Sequence, residues 1–511
     1  MIEKLKQTQL YQYLENNYTN VIIVLLLLII NIFSWNYFRK NIPGAFVKKY
    51  GIIILLIIVT FEILLTIGVN YFMKKKKTLE KIFLLLIIPI GLSYLVLIPL
   101  GKIPDEQTHA KRIYDITEGN FITKIHKEKK NQSGAYLYKD IKKIFSQKKY
   151  HTYKNVFQSK SGKEKVFLRF PSASLYSFVC YLPQATGVLI GKIINLPLVF
   201  QMYLGRLMNF LVWMMLMYFS IKYIPYKKIT VFAIGFIPIV IQEAVSLSAD
   251  AITIGTSIFL VSYILYLKEK KSMMEKKDYI ICSLTTIVLS LCKIVYLPIC
   301  LVLFLIPYDK FKSKKDKYVK IGLLALFVII LNLIFLKISS SYLAQSNLQG
   351  NPSAQLSFLL HNPFSYLQNC FNAIYQYSFN WLYELFGMSL CLFDVILSPF
   401  YMIFIIGTYI YIFLFDNTKK ITKQNKLAIS LIVLITIALI FTSLFIQWTP
   451  VHSTRIEEIQ GRYFLPILFL ITILCNSDRI QLKKGINTKI VCYLLIFINI
   501  YALTSIFFGH L

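Results

Sequence analysis

Acid is what this sequence has least of. Only 24 Asp and Glu stand against 56 Lys and Arg in 511 residues, and charged residues of both signs make up just 16% of the chain. A water-soluble protein carries about a quarter charged residues, so a soluble globular reading is excluded. Cysteine is sparse as well. The eight cysteines form no CxxC pair and no regular spacing, which leaves neither a disulfide framework nor a zinc site to expect. Most lie inside apolar blocks, where a thiol behaves as a small hydrophobe. Nucleic acid is excluded despite the formal charge of +32. The lysines come in short clusters between apolar blocks, where the positive-inside rule puts them, and no recognition fold is evident.

What is present is hydrocarbon. Hydrophobic residues make up 56% of the chain and come in blocks such as NVIIVLLLLIINIFSW from Asn20 and GIIILLIIVTFEILLTIGV from Gly51. A membrane span needs about 20 such residues, and helices satisfy their own backbone polar groups in lipid. The fold class expected is an all-α polytopic membrane protein of about a dozen apolar helices. No small-x-small cleavage site follows the first block, so it is expected to stay as a signal anchor. The abundance of Lys, Ile, Asn and Tyr suggests an AT-rich bacterial genome, and hence a bacterial plasma membrane.

Lysine counting sets the orientation. Basic stretches 74–77, 222–228, 268–277, 310–320, 419–426 and 479–489 belong in the cytoplasm, whereas 246–250, 339–394 and 448–462 are nearly free of Lys and Arg and belong outside. Alternation then requires that 172–196 lie at the outer surface and that 279–307 form a hairpin with Lys293 near its outer turn. The basic loop 39–49 departs from the rule. The expected organisation begins with a pair of spans over 1–80 and a cytoplasmic N-terminus, followed by a core module over 81–338 with outer loop 101–171 after the third span. A second outer segment over 339–394 and C-terminal spans over 395–511, with outer loop 448–462, complete it.

The outward positions carry the chemistry. In Pro104-Asp105-Glu106-Gln107-Thr108-His109, helical spacing places Asp105, Glu106 and His109 along one side, beside the membrane surface. Partly desolvated paired acids can keep one of them as a base near neutral pH. Simple capping by Asp105 would account for the same residues. Glu243, Ser246, Ser248 and Asp250 form a second outward group, and an ionisable residue at membrane depth is functional by default. Arg206 and Arg462 open two further spans, and a guanidinium suits bidentate binding of phosphate. Snorkelling to lipid phosphate would account for either arginine alone.

The segments PDEQTHAKRIYDITEGN, YLPQATGVLIGKIINLPLVFQMYLGRLMN, QEAVSLSADAI and WTPVHSTRIEEIQGRYFLPIL follow in that order. Together they resemble the signature of the bacterial domain-of-unknown-function 2142 family of predicted membrane proteins, over residues 92–473. That family is similar to the GT-C glycosyltransferases, helical bundles with a large extracytoplasmic loop. The resemblance implies an essential acid at Asp105, a serine-rich segment at Ser246, Ser248 and Asp250, and a QGRYF segment over 460–464 that includes Gln460 and Arg462.

The function expected is a membrane glycosyltransferase that moves a sugar from a polyprenyl-phosphate donor to an envelope glycopolymer or glycolipid at the outer face. Asp105 would act as base with Glu106 or His109 orienting it. Arg206 or Arg462 would meet the leaving phosphate, and Glu243, Ser248, Asp250 and Gln460 would line the substrate site. No metal or cofactor is required, although a divalent cation bridging Asp105, Glu106 and Asp250 is chemically compatible. A lipid-linked sugar flippase and an envelope polysaccharide polymerase or ligase are the alternatives.

Overall fold

The structure is a computed structural model that describes residues 22, 24–29, 31–32, 45–146, 164–343, 351–392, 394–416, 421–476 and 485–509. Part of the expected first span, the basic stretch 39–44 and parts of the expected loops (147–163, 344–350, 417–420 and 477–484) lie outside the described residues.

Two long helices come first, α1 (Ala45–Lys74) and α2 (Leu79–Leu97). A domain follows in the segment expected to lie outside, called the outer domain for that reason. It contains α3 (Glu106–Thr117), β1 (Ile125–His126), β2 (Gln132–Tyr138), α4 (Lys139–Ser146), β3 (Lys165–Arg169) and the short α5 (Pro171–Ser174). The strands form an antiparallel sheet in the order β1-β2-β3, with Gly134 opposite Arg169 and Tyr138 opposite Lys165. The all-α expectation is corrected here. The loop carries its own apolar core, in which Ile113, Tyr114, Leu137, Leu168 and Phe170 pack with Val188, Met202 and Leu247 of the bundle.

The bundle resumes with α6 (Leu182–Ile193) and α7 (Leu198–Tyr223). α6 lies flat on α7 because Gly187 and Gly191 present bare backbone to it. A methyl group at Gly187 would stand 2.3 Å from the Leu204 carbonyl, the small-residue contact that lets membrane helices approach closely. Next come α8 (Lys228–Ile234), α9 (Pro238–Ala244), α10 (Asp250–Glu269) and α11 (Lys276–Cys292). A 3-10 helix (Ile294–Leu305) leads into α12 (Lys314–Leu343), α13 (Pro352–His361) and α14 (Pro363–Leu385). A two-stranded ribbon pairs β4 (Ser389–Leu390) with β5 (Val395–Ile396). After it run α15 (Pro399–Phe415), α16 (Lys423–Gln447), a 3-10 turn (Gly461–Phe464), α17 (Leu465–Leu474) and α18 (Thr488–Gly509).

Among the described residues, seven helices are long and apolar enough to span a bilayer, namely α1, α2, α7, α10, α12, α16 and α18. That is fewer than the dozen expected, because several apolar blocks are interrupted. α8 and α9 are two buried half-helices broken at Gly235–Ile237, where Pro238 has no N–H to continue the ladder. Broken backbone of this kind survives in a membrane only when enclosed by protein. The expected hairpin is present, with Lys293 in extended conformation between α11 and the 3-10 segment. The 17 residues of α11 rise about 25 Å, and 12 residues in 3-10 form rise about 24 Å where an α-helix would reach only about 18 Å. The tighter helix matches the two arms in length.

The contacts between helix ends separate into two sets. In one, Lys228 pairs with Glu80, the Met274 N–H bonds the Lys310 carbonyl at 2.9 Å, and Lys227 reaches the Phe413 carbonyl at 2.7 Å. Lys426 bonds the Asn476 carbonyl in the same set. In the other, Lys102 pairs with Asp394, Tyr342 bonds the Thr123 carbonyl, Gln355 bonds the Thr449 carbonyl, and Arg462 meets Asp105. The first set lies in or beside segments assigned to the cytoplasm and the second within segments assigned outside. Several inner lysines also cap helix C-termini, since Lys317 bonds the Phe304 and Ile306 carbonyls as Lys227 does that of Phe413. Part of the positive charge therefore has structural work at one end of the bundle.

Cys475, exposed at the inner end of α17, tests this threading. An impermeant maleimide should leave it unmodified in intact cells and modify it once the membrane is opened, as read by peptide mass spectrometry. Modification of Cys475 in intact cells would invert the topology.

Candidate functional site

The outer ends of α3, α10, the hairpin and the turn before α17 meet at one cluster. It begins at Asp105, which precedes α3 with φ of 62° and makes no side-chain capping bond. A left-handed conformation costs a non-glycine residue roughly 1–2 kcal/mol, and here it turns the carboxylate away from the helix it would otherwise cap. The carboxylate instead accepts from Arg462 Nη2 at 2.6 Å, while Nη1 of the same guanidinium donates to Asp250 at 3.3 Å. Glu243 lies 4.0 Å from that nitrogen. Gln460 fixes the remaining edge, accepting from Arg462 Nε at 2.7 Å. The other oxygen of Asp250 is bonded to Lys293, whose ammonium stands 5.3 Å and 5.6 Å from the rings of Tyr176 and Tyr463. His109, one turn into α3, pairs through Nδ1 with the Tyr181 hydroxyl at 2.6 Å.

Glu106 and Arg206 are not part of this cluster, which corrects their expected roles. Both side chains have no exposure. The guanidinium donates to both Glu106 oxygens at 2.7 Å and to the carbonyls of Ile98 and Pro99 at 2.7 and 3.1 Å. Glu106 also accepts from the backbone of Gly101 and Leu247, at 2.7 and 3.2 Å. With these partners Arg206 has no face to offer a phosphate and Glu106 no oxygen to offer a substrate. The pair ties the end of α2, the start of α3 and the serine loop into one block.

Ser248 belongs to the scaffold as well. Its hydroxyl donates to Glu243 at 3.1 Å and accepts from the Asp250 N–H at 3.0 Å, which caps α10. Ser246, Gln184 and Asn209 complete the loop through bonds to backbone. Glu243 is wholly buried, and its second oxygen has no hydrogen-bond partner. The set does not fit a divalent ion bridging Asp105, Glu106 and Asp250. Glu106 is turned into the block, and Arg462 stands between the other two acids, with Lys293 on Asp250.

A cavity of about 280 Å³ opens beside the cluster. Asp105, His109, Lys293, Glu458 and Gln460 line one part of it, and Phe335, Leu336, Ile440 and Leu444 line another. The apolar part is contributed by α12 and α16, both of which pack against the 3-10 segment. α12 is the helix least enclosed by protein among the seven spans. One cavity therefore joins the charged cluster to an apolar flank beside the least enclosed of the seven long helices.

The two groups of α3 titrate differently. Burial pushes the Asp105 carboxyl up, but the charge and hydrogen bond of Arg462 together with the pull of His109 hold it below its ordinary value. Burial pushes the His109 imidazole down to about 4, against the opposing pull of Asp105 and Asp250. His109 is thus neutral at physiological pH.

Lys293 and the tyrosines around it are the functional residues missed by sequence reasoning. The signal for Lys293 was present, since a lysine inside an apolar block is functional by default. Tyr181 and Tyr463 lie in the YLPQATG and QGRYF segments that carry the family resemblance, whereas no signal distinguished Tyr176.

A family model described as a predicted membrane protein, DUF2142, matches residues 86–471. The chain belongs to this family. The DUF2142 match begins inside α2 and ends inside α17, so it takes in every residue of the cluster and leaves α1 and α18 outside. No curated protein and no solved structure matches the chain.

Two outcomes follow for this DUF2142 protein. Arg206→Met leaves Glu106 charged and buried, and should lower stability by about 3–5 kcal/mol, whereas Asp105→Asn should leave the thermal unfolding midpoint nearly unchanged. The second concerns pH. The folded-state value of His109 lies below the ordinary 6.5, so the unfolded chain takes up this proton first. Stability should be full above about 6.5 and fall as pH drops toward about 4. His109→Asn should flatten that slope in thermal melts of the detergent-solubilised protein.

Proposed function

We propose that this protein is a membrane glycosyltransferase that takes a sugar from a polyprenyl-phosphate donor and passes it to an envelope glycopolymer or glycolipid at the outer face of a bacterial plasma membrane. The observation that carries the reading is the two-part cavity. An amphiphile with a long apolar tail and an anionic, sugar-bearing head matches a cavity with apolar walls and a lysine at its charged end, with the Arg462 guanidinium bonded to Asp105 of its lining.

The reaction is a single displacement with inversion. The acceptor hydroxyl gives its proton to Asp105 while its oxygen forms a bond to the anomeric carbon. The bond from that carbon to the phosphate oxygen breaks, and the electron pair leaves with the phosphate. Lys293 and Arg462 stabilise the charge that develops there. Arg206, now assigned to the scaffold, has no part in this.

Charge bookkeeping adds a feature. Arg462 and Lys293 already face Asp105, Asp250 and Glu243, so an arriving phosphate competes with Asp105 for Arg462. Donor binding then weakens the contact that keeps Asp105 a poor base, and the carboxylate becomes more basic only when a donor is seated.

A polymerase or ligase would use the same donor and differ only in acceptor, whereas a flippase would move the donor without breaking it. In proteoliposomes, release of polyprenyl phosphate should require acceptor, and Asp105→Asn should reduce it by about 10²–10⁴-fold. Release at the parental rate by a folded Asp105→Asn protein would sink the proposal, as would donor crossing between leaflets intact.

A further inference from the structure

The outer segment between α12 and α15 contains a helix whose surface is unusual for a part of the protein outside the spans. α14 carries Phe364, Leu367, Phe371, Ile374, Tyr375, Phe379 and Leu382 at helical spacing, all exposed, with Phe364 at 84%, Tyr375 at 82% and Phe379 at 72%. From Pro352 to Tyr383 no Lys, Arg, Asp or Glu occurs. Water would solvate such a stripe poorly, and a contiguous exposed apolar patch marks an interaction surface.

The other two sides of α14 fix its height. On the protein side, the Tyr366 hydroxyl lies 2.9 Å from Thr442 Oγ1, and the ring packs on Phe445. Trp381 packs on Phe441, with ring centroids 5.6 Å apart. These α16 residues lie up to about 9 Å before the outer end of that span at Gln447, at 1.5 Å per residue. α14 therefore runs across α16 within its last two turns. On the third side, Asn369 and Asn372 donate to the Ser453 and Thr454 carbonyls, and Gln376 accepts from Arg455. That polar strip faces an outer loop. A helix with protein on one side, polar groups toward the outer loop and a bare aromatic stripe beside them, at the depth of a span's final turns, has the layout of a helix lying in a membrane interface.

We propose that α14 is embedded in the outer leaflet, with its Phe364–Leu382 stripe against acyl chains and glycerol backbones. The absence of charge favours the apolar shoulder of the leaflet over an anionic polymer, and Phe and Tyr are side chains suited to that depth. The placement bears on the site, because Glu384 at the end of this helix accepts from the Gly461 N–H at 2.6 Å. A methyl group on Gly461 would stand 2.2 Å from the Trp381 carbonyl. The segment Gln460–Arg462 is thus seated on a lipid-anchored helix, which fixes the height of the Arg462 guanidinium relative to the headgroups. The inference does not depend on sugar transfer.

The test uses nitroxide labels at Phe371→Cys and Tyr375→Cys, placed one at a time in the full chain with Cys370 and Cys475 replaced by Ser. The protein is reconstituted in vesicles of phosphatidylcholine and phosphatidylglycerol. A Lys130→Cys label on the exposed outer domain is the aqueous reference. Collisions with dissolved oxygen should exceed those with a water-soluble nickel chelate at 371 and 375, and the order should reverse at 130. Chelate-dominated collisions at 371 and 375 would make the stripe a water-facing platform, as for stacking on carbohydrate, and would overturn the proposal. Protection from both reagents would mean that protein, such as a second copy of the chain, covers it, and would overturn it equally.

Discussion

The bidentate pair between Glu106 and Arg206 is the constraint on which the outer face depends. It has no solvent exposure, and four backbone groups, three from the turn after α2 and one from the serine loop, join it. A buried ion pair of this kind adds little net stability over an apolar replacement, but it is unforgiving of partial removal and so specifies one arrangement. Here it holds the turn after α2 against α7, so the residue before Glu106 has a fixed position and direction. That residue is Asp105.

Two adjacent acids therefore have opposite fates, and environment decides which is which. Glu106 is enclosed, saturated and removed from chemistry. Asp105 is strained at its backbone, open to the cavity and held by a single arginine that also serves two other acids. A cation shared among three carboxylates is a partner that an incoming anion can recruit. The basic residues at the opposite end of the bundle play a different part, closing helix ends and fixing orientation. One chain thus uses lysine to close helix ends at one end of the bundle and within a charged cluster at the other.

Much of this was legible in the sequence, for physical reasons. Lysine asymmetry set the expected sidedness, because the insertion rule is written in loop charge, and the two contact sets sort the same segments to two opposite ends. Lys293 marked a hairpin turn because an ionised group interrupts an apolar block. Other features were not legible. Helical spacing grouped Asp105, Glu106 and His109, but the helix starts only at Glu106, and a left-handed residue at 105 breaks the geometry on which that grouping relied. Arg206 looked like the outward start of a span, yet α7 begins eight residues earlier and runs up into the outer domain. The small sheet within the outer loop was missed because β2 and β3 are not joined by a short turn: α4 and residues 147–164 lie between them, so the sequence carries no hairpin pattern. Lys293 was placed correctly in space and still left out of the site, since its partner Asp250 lies 43 positions away.

The central claim is that the outer cluster recognises a lipid-linked phosphate through Lys293 and Arg462. Binding of a short-chain polyprenyl phosphate to the purified protein in nanodiscs tests it most directly, with Lys293→Gln alongside. The account predicts saturable binding that weakens by about tenfold or more in the variant, the scale of one lost hydrogen bond to a charged group, with the thermal unfolding midpoint retained. Equal affinity in a folded Lys293→Gln protein, or no binding by the parent, would contradict it.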